Sequence, residues 1–150
     1  SEPIDIRKYA FITMPVKEQW GALVREDSPL AGKEFLRPQD LLNIPLISAV
    51  GEFLESNVAK WLGEYAAQVH IIAKGNLLYN EAMLAQSNIG AVICIRLSCR
   101  YDGLQFIPFS PALTNDTVLA WKKEQIFSAA TKAFLDFAEK YLKNISNNKL

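Results

Sequence analysis

Histidine occurs once and cysteine twice in these 150 residues, and that scarcity removes several chemistries at once. With His70, Cys94 and Cys99 as the whole supply, no zinc spacing can be assembled. A serine or cysteine nucleophile needs a base beside it, and His70 lies inside the apolar run VHIIA, where a histidine on a central strand packs in the core or at an interface. Charge of one sign is lacking as well. Lys and Arg number 16 against 16 Asp and Glu, a formal net charge of +0, so no overall field draws the chain to nucleic acid or to an anionic membrane. No apolar run approaches the roughly 20 residues that span a bilayer, and the start SEPIDIRKYA has no apolar signal core. The motifs GxSxG, GxGxxG and GxxxxGK are missing, and the lone KGN turn is too weak a signal for a phosphate loop. Glu52, Glu55 and Glu64 fall at helical spacing on a solvated face, an arrangement that does not set an acid against a base. These absences point to a cytoplasmic binding module without metal or cofactor, and away from an enzyme.

What is present is apolar and ordered. Half the residues are hydrophobic, enough for one core or two small lobes. YAFITM reads as a strand stopped by Pro15, and WGALVRE as a second strand closing in the turn Glu26-Asp27-Ser28-Pro29. Pro38 to Leu42 reads as a short helix with proline at its first position, and PLISAV as a buried strand. A helix from Glu52 places Leu54, Val58, Trp61 and Leu62 on one face, with Trp61 as a core anchor and Gly63 as the terminator. Later, LQFIPF and TVLAWKK form two strands separated by the loop SPALTND. The last helix, from about Gln125 to Lys143, buries the stripe Ile126, Ala130, Phe134, Phe137 and Tyr141.

The middle stretch His70 to Leu97 organises the rest. A strand leads through a turn at Lys74 to Asn76 into a helix from about Leu77 to Ser87, and a second strand follows from Gly90. Asn76 suits the N-cap, and Leu78, Ala82, Ala85 and Ile89 make one apolar stripe. Cys94 reads as a buried strand thiol, with a disulfide to Cys99 as the alternative. Strands alternating with helices predict an α/β sheet. A helix N-terminus following a strand is where α/β proteins hold small polar or anionic ligands, because unpaired N–H groups converge there with the positive end of the helix dipole. The competing reading is a plain βαβ crossover with its helix end in water.

Three segments, in order, resemble a known family. WGALVREDSPLAGKEFLRPQDLLNIPLI is similar to the strand, D-x-P-L-A turn, short helix and P-L-I strand of LysR-type transcriptional regulators, a bacterial DNA-binding family. NLLYNEAMLAQSNIGAVICI resembles that family's helix and Gly-containing strand, and VLAWKKEQIFSAATKAFLDFAEK its closing strand and helix. The resemblance implies a periplasmic-binding-protein-like (type 2) effector domain, two α/β lobes with a small molecule in the cleft between them. Residues 17–104 would form a complete second lobe. Residues 1–16 and 105–143 would supply part of the first, with 144–150 as a tail. Also implied are homo-oligomers, dimeric or tetrameric, that reach DNA only through an N-terminal winged helix-turn-helix, with no membrane partner. A solute-binding protein of a transporter is the alternative on the same fold. The positions that match the family's cleft are Ser48 and Ala49 at the end of PLI, then Asn76, Leu77, Tyr79 and Asn80 at the head of the helix. Asn76 would offer its amide, Leu77 its backbone N–H and Ser48 its hydroxyl to a carboxylate or similar group.

Overall fold

The computed structural model describes residues 6–49 and 57–147. The start of the helix expected from Glu52, with Leu54, lies outside them. The chain divides into two units, Glu18–Asn115 and the pair of segments Ser1–Lys17 and Asp116–Leu150. Strand β1, Tyr9–Arg25, runs through both. YAFITM and WGALVR are therefore one strand of 17 residues, and Pro15 does not stop it. A missing proline N–H breaks a ladder only where that N–H would face a partner strand.

In the unit Glu18–Asn115 the strand order is β3-β2-β4-β1-β5. The further ranges are β2 Pro45–Ala49, β3 His70–Gly75, β4 Ala91–Ile95 and β5 Leu104–Pro108. β2 lies parallel to both β3 and β4, while β1 runs antiparallel to β4 and β5. Side chains alternate between the two faces of each strand, and the core divides accordingly. Ala22, Val24, Leu46, Ile93 and Ile107 fill one face with Val58 and Leu62 of helix α1, Asn57–Leu62. Leu23, Ile47, Val92 and Cys94 fill the other with Ala82 and Ala85 of helix α2, Leu78–Gln86. Each fully buried Leu or Ile here is worth roughly 1.5–3 kcal/mol of transfer free energy.

Trp61 is the anchor expected of it. Its ring stacks on Phe109 with centroids 4.2 Å apart, and its Nε1–H donates to the Pro111 carbonyl at 2.7 Å. Gly63 takes the left-handed φ of 56° that ends α1, although the chain continues as a 3-10 turn, Gly63–Ala67. Pro38–Leu41 is likewise a 3-10 turn, closed by the Arg37 N–H donating to Asp40 Oδ2 at 2.8 Å. His70 is exposed and β3 is the edge of the sheet. The expectation of a central strand fails because a short apolar run looks the same at an edge once one of its faces is covered. Residues 105–115, expected to return toward the first lobe, stay with this unit. β5 pairs with Gly21 to Arg25 of β1, and the Trp20 N–H donates to the Leu113 carbonyl at 2.9 Å.

In the other unit β1 pairs with β6, which begins at Thr114 and ends at Lys122. The Lys123 N–H donates to the Lys8 carbonyl at 2.9 Å. Helix α3 spans Ala129–Asn147 and starts later than its apolar period suggested. Ser128 caps it, accepting the Thr131 N–H on Oγ at 3.1 Å, which leaves Ile126 outside the helix and fully exposed. The expected buried stripe is also turned outward. Phe134, Phe137 and Tyr141 are 57%, 65% and 54% exposed, while Ala138 and Leu142 are buried. Apolar residues occupy more than half of this helix's circumference, so periodicity alone does not choose the face that packs.

Candidate functional site

Parallel strands β2 and β3 end side by side, Ser48 opposite Lys74 and Ala49 opposite Gly75. The chain then turns through Asn76 into α2. Leu77 is the N-cap, extended at φ −135° and ψ 112°, and no side chain caps the helix. Asn76, expected in that role, stands one residue outside, because the first carbonyl to accept within the helix is that of Leu77, from Asn80 N–H at 3.0 Å and Glu81 N–H at 3.2 Å. The N–H groups of Leu78 and Tyr79 therefore lead the helix with no side-chain cap among the described residues, at the positive end of its dipole.

Four of the six residues expected at a site come together here. Asn76, Leu77, Tyr79 and Asn80 occupy one turn and all are exposed, Tyr79 by 63%. Its ring lies 6.5 Å from that of Tyr101 on the loop after β4. Ser48 is placed differently. It is buried, and strand alternation puts it on the face of Leu46, away from α2. Ala49 reaches this corner through its backbone pairing with Gly75.

Two residues that sequence reasoning passed over or read only as core matter to the electrostatics. Glu81, on the inner face of the first turn of α2, is 4% exposed, and burial pushes its carboxyl pKa up. A glutamate amid an apolar helix pattern gave no sign that it would face inward. The Cys94 thiol is pushed up to about 12, chiefly by burial, which leaves no thiolate for chemistry at neutral pH. Cys94 and Cys99 are both free. Beyond Tyr101, a groove of about 920 Å³ runs along the loop, lined by residues that include Arg96, Arg100, Asp102 and Gln105. Arg96 sits over the Phe106 ring at 5.3 Å. Among the described residues no cluster of three or more His, Cys, Asp or Glu side chains could hold a metal ion, and no helix is long and apolar enough to cross a membrane.

The model of the LysR substrate binding domain matches residues 12–143. The chain belongs to this family. It is a mixed α/β domain of the periplasmic-binding-protein-like fold, an effector-binding regulatory domain of LysR-type regulators, and that family is one of transcription factors and not of enzymes. Solved structures agree on the fold. The effector-binding domain of QuiR in complex with shikimate superposes with a TM-score of 0.78 at 23% identity, over 96% of this chain and 70% of that one. The CcmR regulatory domain of Synechocystis PCC6803 in complex with 2-PG gives 0.75 at 17% identity, over 96% and 72%. HinK, a LysR family transcriptional regulator from Pseudomonas aeruginosa, gives 0.72 at 15% identity, and this chain spans 95% of itself but 50% of HinK. No curated protein sequence matches significantly.

Proposed function

We propose that this LysR-type domain senses a small anionic metabolite whose acid group is held at the head of α2. The observation that carries the reading is the uncapped N-terminus itself, where the Leu78 and Tyr79 N–H groups follow an N-cap with no side-chain oxygen. Asn76 and Asn80 supply amides beside it, Leu77 and Tyr79 supply apolar and aromatic walls, and the backbone of Ala49 at the end of β2 lies alongside, while the Ser48 side chain, on the other face, takes no part. QuiR, solved with shikimate, and CcmR, solved with 2-PG, give precedent for small-molecule effectors on this fold.

In the full-length protein the bound effector shifts the population between two arrangements of a homo-oligomer and so repositions winged helix-turn-helix domains on DNA. Only differential affinity for the two arrangements can do this. The setting is the cytoplasm, where a DNA-binding regulator works. The family match favours this regulator over a transporter's solute-binding protein.

A charge test separates the site from its surroundings. Asn80→Glu adds an acid to the first turn, which favours the helix through its dipole while repelling a bound anion. Shikimate affinity, measured by calorimetry, is expected to fall about tenfold or more with the melting temperature unchanged or raised. Unchanged affinity in the variant, or no binding of any carboxylate to the parent chain, contradicts the reading.

A further inference from the structure

The chain passes from β4 to β5 through a loop, residues 96–103, and this loop walls the groove of about 920 Å³ that lies over β1 and β5. The wall is fastened along its length. The Arg96 N–H donates to the Gln19 carbonyl at 2.7 Å, Gln86 Nε2 to the Asp102 carbonyl at 2.7 Å, and the Glu26 N–H to the Gly103 carbonyl at 3.0 Å. Leu23, Leu104 and Phe106 form the floor. Gly21 makes room for the Phe106 ring, since a Cβ there would lie 2.5 Å from Cζ. Charge is sorted along the groove. At one end the Arg96 guanidinium lies over the Phe106 ring at 5.3 Å, a contact that holds the cation while leaving it the N–H fork that pairs with a carboxylate. At the other end Glu26 and Asp102 stand beside Gly103. No ion pair joins Arg96, Arg100, Glu26 or Asp102 to any described residue, whereas the neighbouring Arg25 is paired with Asp27. The partners Gln19 and Glu26 set the two ends seven residues apart, roughly 20 Å in extended chain.

We propose that this groove is a second ligand site, separate from the head of α2, and that it takes a short peptide of about four residues as an extended zwitterion. The C-terminal carboxylate pairs with Arg96, and the N-terminal ammonium with Glu26 and Asp102. Between them the peptide lies over Leu23, Tyr101 and Phe106, and Arg100 on the loop offers donors to its carbonyls. An extended tetrapeptide spans about 13 Å, and the reach of Arg96 and of the two acids covers the remainder. A simple anion satisfies one end only, and a dianion of that length meets the two acids with the wrong sign.

The test titrates the isotopically labelled whole chain with tetra-alanine, its N-acetyl form and its C-terminal amide, read by NMR. Tetra-alanine is expected to give saturating shifts along residues 96–106, and each capped peptide to bind about threefold or more weakly. Arg96→Met should remove the penalty for amidation and keep that for acetylation; Glu26→Gln combined with Asp102→Asn should do the reverse. Arg96, Glu26 and Asp102 are all exposed, so these variants keep the fold. An acetylated peptide that binds as well as the free one makes the groove an anion site only and overturns the proposal. So do penalties that survive in both variants, shifts centred on Leu78 and Tyr79, or no binding of tetra-alanine at millimolar concentration, and this last result leaves the α2-head reading untouched.

Discussion

The Glu81 carboxyl occupies the space that a side chain at position 75 would need, for a Cβ on Gly75 would lie 2.5 Å from Glu81 Oε1. The glycine that ends β3 and the acid in the first turn of α2 are thus one packing unit.

Gly75→Ala should therefore destabilise the fold by about 1–3 kcal/mol, the usual cost of overpacking. Most of that loss should vanish in a Glu81→Ala background, a coupling that chemical denaturation of the four species measures directly. The pH dependence follows from the raised pKa of Glu81. The folded state binds the proton more tightly than the unfolded chain, so the favourable term is complete below the ordinary glutamate pKa and is lost as pH rises through the folded value. Glu81→Gln should accordingly gain stability relative to the parent between mildly acidic and neutral pH. An identical pH slope in the two proteins would show that the carboxyl is solvated.

How much of this was legible in the sequence depends on whether a local signal had a unique physical solution. The strand-turn-helix-strand from His70 to Ile95 was readable because the apolar period changes from two to 3.6 across a glycine-containing turn, and Trp61 because a large aromatic on an apolar helix face has few other places to go. Pro15 misled because its cost depends on what the missing N–H would face, which is a tertiary fact. Asn76 misled by one residue, since a cap requires extended backbone at the capping residue, and here Leu77 has it. Ser48, expected at the end of PLI to offer its hydroxyl to the cleft, lies buried on the face away from α2, because strand register decides its side. Glu81 had no sequence signal at all, because nothing local distinguishes an inward-facing acid from a solvated one.

Helix α3 offers a contrast between two apolar positions that the sequence does not distinguish. Leu142 is 6% exposed and Phe137 is 65% exposed. Leu142→Ala should cost about 2–4 kcal/mol, whereas Phe137→Ala, which forfeits mainly its 5.8 Å stacking with Tyr141, should change stability by about 0.5 kcal/mol or less. Comparable losses from the two substitutions, read from urea midpoints at constant m-value, would mean that the aromatic stripe is covered in solution.

The most direct test of the central claim is the map of backbone amide shifts when shikimate is titrated into the isotopically labelled chain. The largest shifts are expected at Leu78 and Tyr79, whose N–H groups lead α2, with smaller ones at Asn76, Asn80 and Gly75. Saturating shifts centred instead on the groove of Arg96, Arg100 and Gln105, with the head of α2 unmoved, would contradict it.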